Sequence, residues 1–407
     1  MKYVVILGDG MADEPLEQLG LKTPLEVANK PTIDKLSMKG ELGLVSTIPK
    51  GMSPGSDTAN LSVMGYNPKK YYTGRSPLEA ISMKISMKDT DICFRCNVVT
   101  LSEEEVYDDK VILDHSSDEI TSEEAKELII YIEKNFGNEI MHFYPGVSYR
   151  HALIWEGGSV QVNLTPPHDI LGKRIGDYLP KGDGAQEIYH MMKTSYELLN
   201  NHPVNLRRKE KGLKPANSIW IWGEGKKPVL PSFEEKYILK GSMISAVDLL
   251  KGIAIAAKME SIDIEGATGT LNTNYEGKAS ACIDALDRGQ DFVYLHVEAP
   301  DECGHRGELE NKIKAIEALD AKIVTPIVAA LEEKRVDFRI LILPDHPTPI
   351  ALRTHTSNPV PYILYDSTLN KNSGFTYTEK NGANTGIHCT QGHLLMDYLL
   401  EKTNKVI

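Results

Sequence analysis

Three short apolar runs constrain this chain most: DFVYLHV, FRILILP and VPYILY, all in its last third. Each has the length of a strand, and each is apolar on consecutive rather than alternate residues. A strand of that kind is buried on both faces. Parallel sheets with helices on either side bury their strands in this way. The stretch ELENKIKAIEALDAKIVTPIVAALEEK lies between the first two runs and carries apolar residues at helical spacing. The first segment repeats this alternation. Strand Tyr3–Leu7 is followed by a polar loop, by the helical TPLEVANKPTIDKLSMKG ending at Gly40, and by strand signals around Leu42–Thr47. MISAVDLLKGIAIAA, residues 243–257, is apolar in the same manner.

The middle of the chain differs. Residues 75–239 are richer in charge and turns, with helical SSDEITSEEAKELIIYIEKNF among shorter strands such as HALIWEG and SIWIWG. At 407 residues the chain exceeds one ordinary core. The reading is one α/β domain built from 1–74 and 240–407, interrupted by a smaller α/β domain, 75–239.

A net charge of −12 argues against a nucleic-acid partner, which needs a basic face. No stretch approaches the eighteen apolar residues of a membrane span, and MKYVVILGDG is too short for a leader. Five scattered cysteines point to free thiols and the cytoplasm. CFRC, with Cys93 and Cys96, lacks the second ligand pair of a zinc site and reads as two ordinary thiols.

The chemistry lies where predicted strands end. Tyr3–Leu7 runs into GDG, with Asp9; the strand Phe292–Val297 into EAPDECGH, with Asp301 and His305; the strand Arg339–Leu343 into PDHP, with Asp345 and His346. His355 stands in RTHTSNPVP, ahead of the next strand. Open parallel sheets bind ligands beyond the carboxyl ends of their strands, so these groups are expected to converge. Singly, each has a bland reading as a cap, a turn or a hydrogen-bonded pair. Together, three aspartates and three histidines at one edge call for a cation. Mixed carboxylate and imidazole ligands suit divalent metals, and six ligands suit two of them. In SPGSDTAN, Ser56 sits at a loop-to-helix junction with no histidine nearby in sequence. A metal that lowers the pKa of its hydroxyl would replace the missing base, and the helix start would favour a phosphate. The bland reading makes Ser56 or Asp57 a helix cap.

ILGDGMAD, KTPLEVANKPTIDKL, PGSDTANLSVMGYNPKKYYTGRSPLEA, HVEAPDECGHRG, LPDHPTP and HTSNPVPYIL together resemble the cofactor-independent phosphoglycerate mutases in their shorter, archaeal-type form. That family is a branch of the alkaline phosphatase superfamily. The resemblance implies an alkaline-phosphatase-like parallel-sheet sandwich domain with an inserted smaller α/β domain. It implies interconversion of 3-phosphoglycerate and 2-phosphoglycerate through a phosphoserine on Ser56. It also implies two divalent ions, manganese foremost with zinc, cobalt or magnesium open, and no bisphosphoglycerate. One ion falls to Asp9, Ser56, Asp345 and His346, the other to Asp301, His305 and His355. The partner is a small phosphorylated substrate. Its phosphate and carboxylate call for arginines, which grip such groups bidentately. The candidates are Arg75, Arg95, Arg150 and Arg174, with Arg207 and Arg208 behind them and with Asp114 and His115.

One motif departs from the family. DHSSDEITSEE carries Asp118 and Glu119 where the family tends to carry a Gly-Arg or Gly-His pair. Acidic residues there suit an amine-bearing substrate and keep a homoserine kinase-like phosphotransferase open; a metal-dependent phosphomonoesterase is a separate alternative.

Overall fold

The computed structural model describes residues 1–401. The chain divides into two compact units, Met1–Tyr72 with Val229–Ile407, and Thr73–Pro228. In chain order the first unit supplies strands β1 (Lys2–Gly8) and β2 (Glu41–Val45). The intervening unit supplies β3 (Asp91–Leu101), β4 (Ile112–Asp114), β5 (Met141–Tyr144), β6 (Arg150–Glu156), β7 (Val162–Asn163), β8 (Lys181–Gly182) and β9 (Ser218–Lys226). The first unit resumes with β10 (Gly241–Ile244), β11 (Glu260–Ile262), β12 (Phe292–Val297), β13 (Phe338–Leu343), β14 (Val360–Asp366) and β15 (His388–Cys389).

The first unit is built on one sheet, ordered β11-β10-β12-β1-β13-β14-β2-β15. Strands β12, β1 and β13 lie at its centre. Val4, Ile6, Val293, Leu295, Ile340 and Ile342 join one core with helices Tyr275–Asp287, Leu309–Leu319 and Thr325–Glu333. Their neighbours Val5, Leu7, Tyr294, Leu341 and Leu343 point to the other face and are buried as well. Burial on both faces is why these runs are continuously apolar.

The α/β class holds, with one correction to an all-parallel sheet. VPYILY forms β14, which pairs antiparallel with both β13 and β2. A parallel return needs a long crossover, usually helical. The segment between β13 and β14 contains no helix among the described residues, so the chain re-enters the sheet at the edge it has just left. That reversal carries His355 to the edge where the parallel strands end.

Two helical stretches are broken by proline. TPLEVANKPTIDKLSMKG forms two helices, Pro24–Val27 and Pro31–Lys39, because the residue before Pro31 is driven out of helical conformation. The long helix of the last third is interrupted by a π turn, Asp320–Val324. Pro326, which has no N–H to donate, stands two residues beyond its end. The turned-out Asp320 carboxylate accepts from Ile33 N–H at 2.6 Å.

In the intervening unit β3 is flanked by β6 and β9, and β4 and β5 extend the antiparallel sheet. Helices Ser122–Phe136 and Ala185–Leu199 pack on it through Leu128, Ile132, Ile188 and Met192. Cys93 and Cys96 lie three apart on β3, so their side chains point to opposite faces. Both are buried and free, as are Cys282, Cys303 and Cys389. No helix among the described residues is long and apolar enough to cross a membrane.

Candidate active site

The carboxyl edge of the first unit's sheet gathers all seven residues of the two expected ligand sets. Asp9 follows β1 directly, and Asp345 and His346 stand just beyond β13. Asp301 and His305 are one turn apart on helix Ala299–Arg306, which follows β12. Ser56 opens helix Ser56–Val63 and is half-buried. Its Oγ lies 3.2 Å from His346 Nε2. That nitrogen is 3.6 Å from Asp9 Oδ1 and 3.4 Å from Asp345 Oδ2. On the other side of His346, its ring stacks on that of His355, with centroids 3.9 Å apart. His305 and His355 both aim Nε2 at the Asp301 carboxylate, at 3.3 and 3.4 Å. Two groups of donor atoms able to hold an ion result, Asp9–Asp345–His346 and Asp301–His346–His355. Asp57 is a helix-start residue, accepting from Thr58 N–H at 2.7 Å and Tyr72 O–H at 2.6 Å.

The first group is built around a charge problem. Asp9, Asp345 and His346 are 2, 0 and 0% exposed. Burial pushes the Asp9 carboxyl well above its ordinary range, and the neighbouring Asp345 and Asp301 push it further. Asp9 Oδ1 is buried with no hydrogen-bond partner among the described residues. Asp345 is well supplied: Oδ1 accepts from Gly10 and His346 N–H at 3.1 and 2.9 Å, and Oδ2 accepts from Asn60 at 3.0 Å. An orphaned carboxylate oxygen beside a second carboxylate and a buried imidazole suits a divalent cation, which satisfies the oxygen and relieves the repulsion. The second group is more open. Burial opposes ionisation of Asp301, but hydrogen bonds from His305 and His355 outweigh it and hold the carboxyl well below its ordinary range. The same carboxylate raises His305 to about 9.

Glycine is required within the GDG turn. Gly10 has φ +59°, and a Cβ there would come within 2.5 Å of both Asp301 Oδ1 and Thr348 Oγ1.

The sequence profile described as 2,3-bisphosphoglycerate-independent phosphoglycerate mutase matches residues 37–205. A Geobacter sulfurreducens protein named "Probable 2,3-bisphosphoglycerate-independent phosphoglycerate mutase" is 49% identical over 403 residues, covering 99% of this chain and 100% of its own. A Methanothrix thermoacetophila protein with the same name, without "Probable", is 48% identical over 401 residues, covering 98% and 100%. This chain belongs to that family. Among solved structures, a Pyrococcus horikoshii protein superposes with a TM-score of 0.81 at 30% identity, over 99% of this chain and 98% of that one. The cofactor-independent phosphoglycerate mutase of Thermoplasma acidophilum shares the fold, with a TM-score of 0.67 at 24% identity over 99% and 100% of the two chains.

The expected substrate residues of the intervening unit separate into two sets. Arg75 and Arg95 pair with Glu79 at 2.7 and 3.0 Å, and Arg150 adds its field to the same carboxylate. The Arg95 guanidinium lies over the Trp222 ring, 4.6 Å from its centroid. His168 packs against Trp222, and His115 against His168 and Tyr149. Three arginines thus act on one glutamate, leaving an excess of positive charge suited to an anion. Burial lowers the pKa of His168, and Arg95 and Arg75 lower it further. Arg174 and Asp114 are engaged elsewhere. Arg174 pairs with Asp109 at 2.5 Å, and Asp114 holds Ser116 N–H at 2.8 Å and Lys214 at 2.7 Å. Arg208 is buried, binding Glu124 at 2.5 Å and Ser117 O at 2.6 Å, and serves the unit's packing. Asp118, one of the two departures from the family motif, accepts from Lys214 N–H at 2.7 Å.

Sequence reasoning passed over Asn60, Thr348 and His296. Asn60 bridges Ser56 O and Asp345 Oδ2 and accepts from Tyr294 O–H at 2.6 Å. Its spacing of four from Ser56 on one helix was the available signal. Thr348, in PDHPTP, donates to Asp301 Oδ1. His296 lies against Asp9 at 2.9 Å. In the intervening unit His168, Trp222 and Tyr149 had no motif to mark them.

Proposed function

We propose that this chain interconverts 3-phosphoglycerate and 2-phosphoglycerate, with Ser56 as the residue that carries the phosphoryl group between the two hydroxyls. The observation that carries the reading is the Ser56 hydroxyl itself: it opens a helix and touches His346, within the Asp9–Asp345–His346 group, in a chain of the mutase family. Asp9, Ser56, Asp345 and His346 would hold one divalent ion, and Asp301, His305 and His355 a second, with manganese the first choice. Bound there, the ions would supply Lewis acidity, lowering the pKa of a serine hydroxyl and neutralising phosphate charge.

The chain's own groups then divide the work. Ser56 Oγ attacks the phosphorus of 3-phosphoglycerate, the P–O bond to the sugar-acid oxygen breaks, and that oxygen takes up a proton. The N-terminal end of helix Ser56–Val63, at Ser56, would favour the phosphate's negative charge. The freed glycerate turns and presents its other hydroxyl, which attacks the phosphoserine and regenerates Ser56. Asn60 fixes the helix start against Asp345 throughout. Arg75, Arg95 and Arg150 would grip the substrate's carboxylate or phosphate, with His115 beside them; Arg174 and Asp114, already committed to neighbours, are weaker candidates. The reaction is a step shared by glycolysis and gluconeogenesis. Five free, buried cysteines suit a reducing cytoplasm.

The test is an enolase-coupled assay on manganese-loaded protein with no nucleotide and no bisphosphoglycerate. The proposal expects isomerisation of 3-phosphoglycerate. Release of inorganic phosphate would indicate a phosphomonoesterase, and ATP consumption only in the presence of homoserine would indicate the kinase-like reading. Either outcome without isomerisation overturns the proposal.

A further inference from the structure

The two oxygens of Asp9 have different surroundings. Oδ1 is buried without a hydrogen-bond partner among the described residues, and Oδ2 lies 2.9 Å from His296 Nε2. On the far side of that imidazole, Nδ1 lies 3.2 Å from Ser245 Oγ. Ser245 Oγ in turn accepts from Val247 N–H at 3.0 Å. The carboxylate end sets the direction of the chain, with Asp9 ionised as an ion ligand. An ionised carboxylate only accepts, so His296 Nε2 carries the ring proton and donates to Asp9 Oδ2 at 2.9 Å. Nδ1 of the singly protonated ring is then an acceptor, and the Ser245 hydroxyl donates to it while taking Val247 N–H on a lone pair. Ser245, His296 and Asp9 are 3, 0 and 2% exposed, so bulk water does not compete for these bonds. Lys278 Nζ anchors the strand end by donating to His296 O at 3.1 Å.

We propose that His296 and Ser245 form a positioning relay for Asp9, occupying Oδ2 so that Oδ1 alone is presented to the ion. The inference rests on the reading of Asp9 as an ion ligand. It assigns a role to the histidine that opens HVEAPDECGH and stands five residues before Asp301. Partners that orient a metal ligand are commonly worth about 10–100-fold in metal affinity. A carboxylate freed from the relay is able to rotate, presenting either oxygen and losing the fixed approach to His346.

The experiment is a titration of the metal-free full chain with Mn2+, followed by electron paramagnetic resonance, on the wild type and three variants. His296→Leu removes the N–H donor and is expected to weaken the ion site containing Asp9 by about 10–100-fold, with the Asp301 site little changed. His296→Gln places an amide N–H near the Nε2 position and is expected to restore most of the affinity. Ser245→Ala leaves the imidazole but frees its tautomer, with an expected loss of several-fold. This variant alters one hydroxyl, so it decides the matter even if His296→Leu fails to fold. Wild-type affinity in His296→Leu, or in Ser245→Ala if His296→Leu fails to fold, overturns the relay, as does a His296→Gln variant as weak as His296→Leu. A wild type that binds no Mn2+ overturns the ion reading itself, and the relay with it.

Discussion

The carboxylate–imidazole edge of the first unit and the arginine cluster of the intervening unit are both charged, yet they are organised in opposite ways. At the first, charges of like sign are buried together: Asp9 and Asp345 are 2 and 0% exposed, and one Asp9 oxygen has no partner among the described residues. At the second, Arg75 and Arg150 are exposed and the cations already share a counter-charge, Glu79. Buried, mutually repelling carboxylates form a site that is complete only with a cation. Arginines around one glutamate would, on the proposed function, exchange that internal partner for an incoming anion. On the proposed function, the first would do transition-state work and the second binding work.

The strongest way to break that contrast is to remove a ligand. Asp345→Ala strips an acceptor from Gly10, His346 and Asn60 together with a charge that faces the ion. Turnover is expected to fall by about 10³-fold or more, since metal catalysis supplies several kcal/mol; a kcat within tenfold of wild type would contradict the assignment. Chelation is the reversible version. Dialysis against EDTA should abolish activity and added Mn2+ should restore it, whereas full activity in the chelated protein would count against both ion groups.

A smaller, qualitatively different effect is expected at the arginines. Arg95→Ala should raise KM by about 10–100-fold, the worth of a charged hydrogen bond, with kcat reduced less. A variant that loses kcat and keeps KM would move Arg95 from binding to the chemical step and blur the two regions.

The smallest effect is on stability, and its sign differs between the units. Burial holds His151, in the intervening unit, down to about 3. Its native form binds fewer protons than the unfolded chain between pH 6.5 and 3, so its contribution is present above pH 6.5 and lost as pH falls. Burial raises Glu379, in the first unit, to about 7. Its contribution is present below about pH 4.5 and lost as pH rises toward 7. Thermal melts across this range should show His151→Asn flattening the acid side and Glu379→Gln the neutral side, with slopes of at most about 1.4 kcal/mol per pH unit for each group. Identical pH profiles for wild type and both variants would refute these assignments.

How far each region can be read from sequence follows from the same contrast. Asp9, Asp301, Asp345 and His346 were legible because each follows a buried apolar strand, and strands of a parallel sheet end at one edge. The direction of β14 was not legible, because VPYILY looks alike in either orientation and only the connection decides. Asn60 and His296 were hidden because their partners are remote: Tyr294 is 234 residues from Asn60, and His296 is 287 from Asp9. The arginines were the least legible. Arg95 meets Trp222 because antiparallel register sets β3 against β9, and a one-residue slip would turn it to the other face. Arg174, an equally plausible arginine in the sequence, instead pairs with Asp109.

The most direct measurement is of Ser56 itself. Manganese-loaded protein mixed with 3-phosphoglycerate, quenched in acid during turnover and digested, is expected to yield a phosphorylated peptide carrying the phosphate on Ser56, and Ser56→Ala to yield neither phosphopeptide nor product. Undiminished isomerisation by Ser56→Ala, or phosphate on a different residue of the turning-over enzyme, would contradict the account.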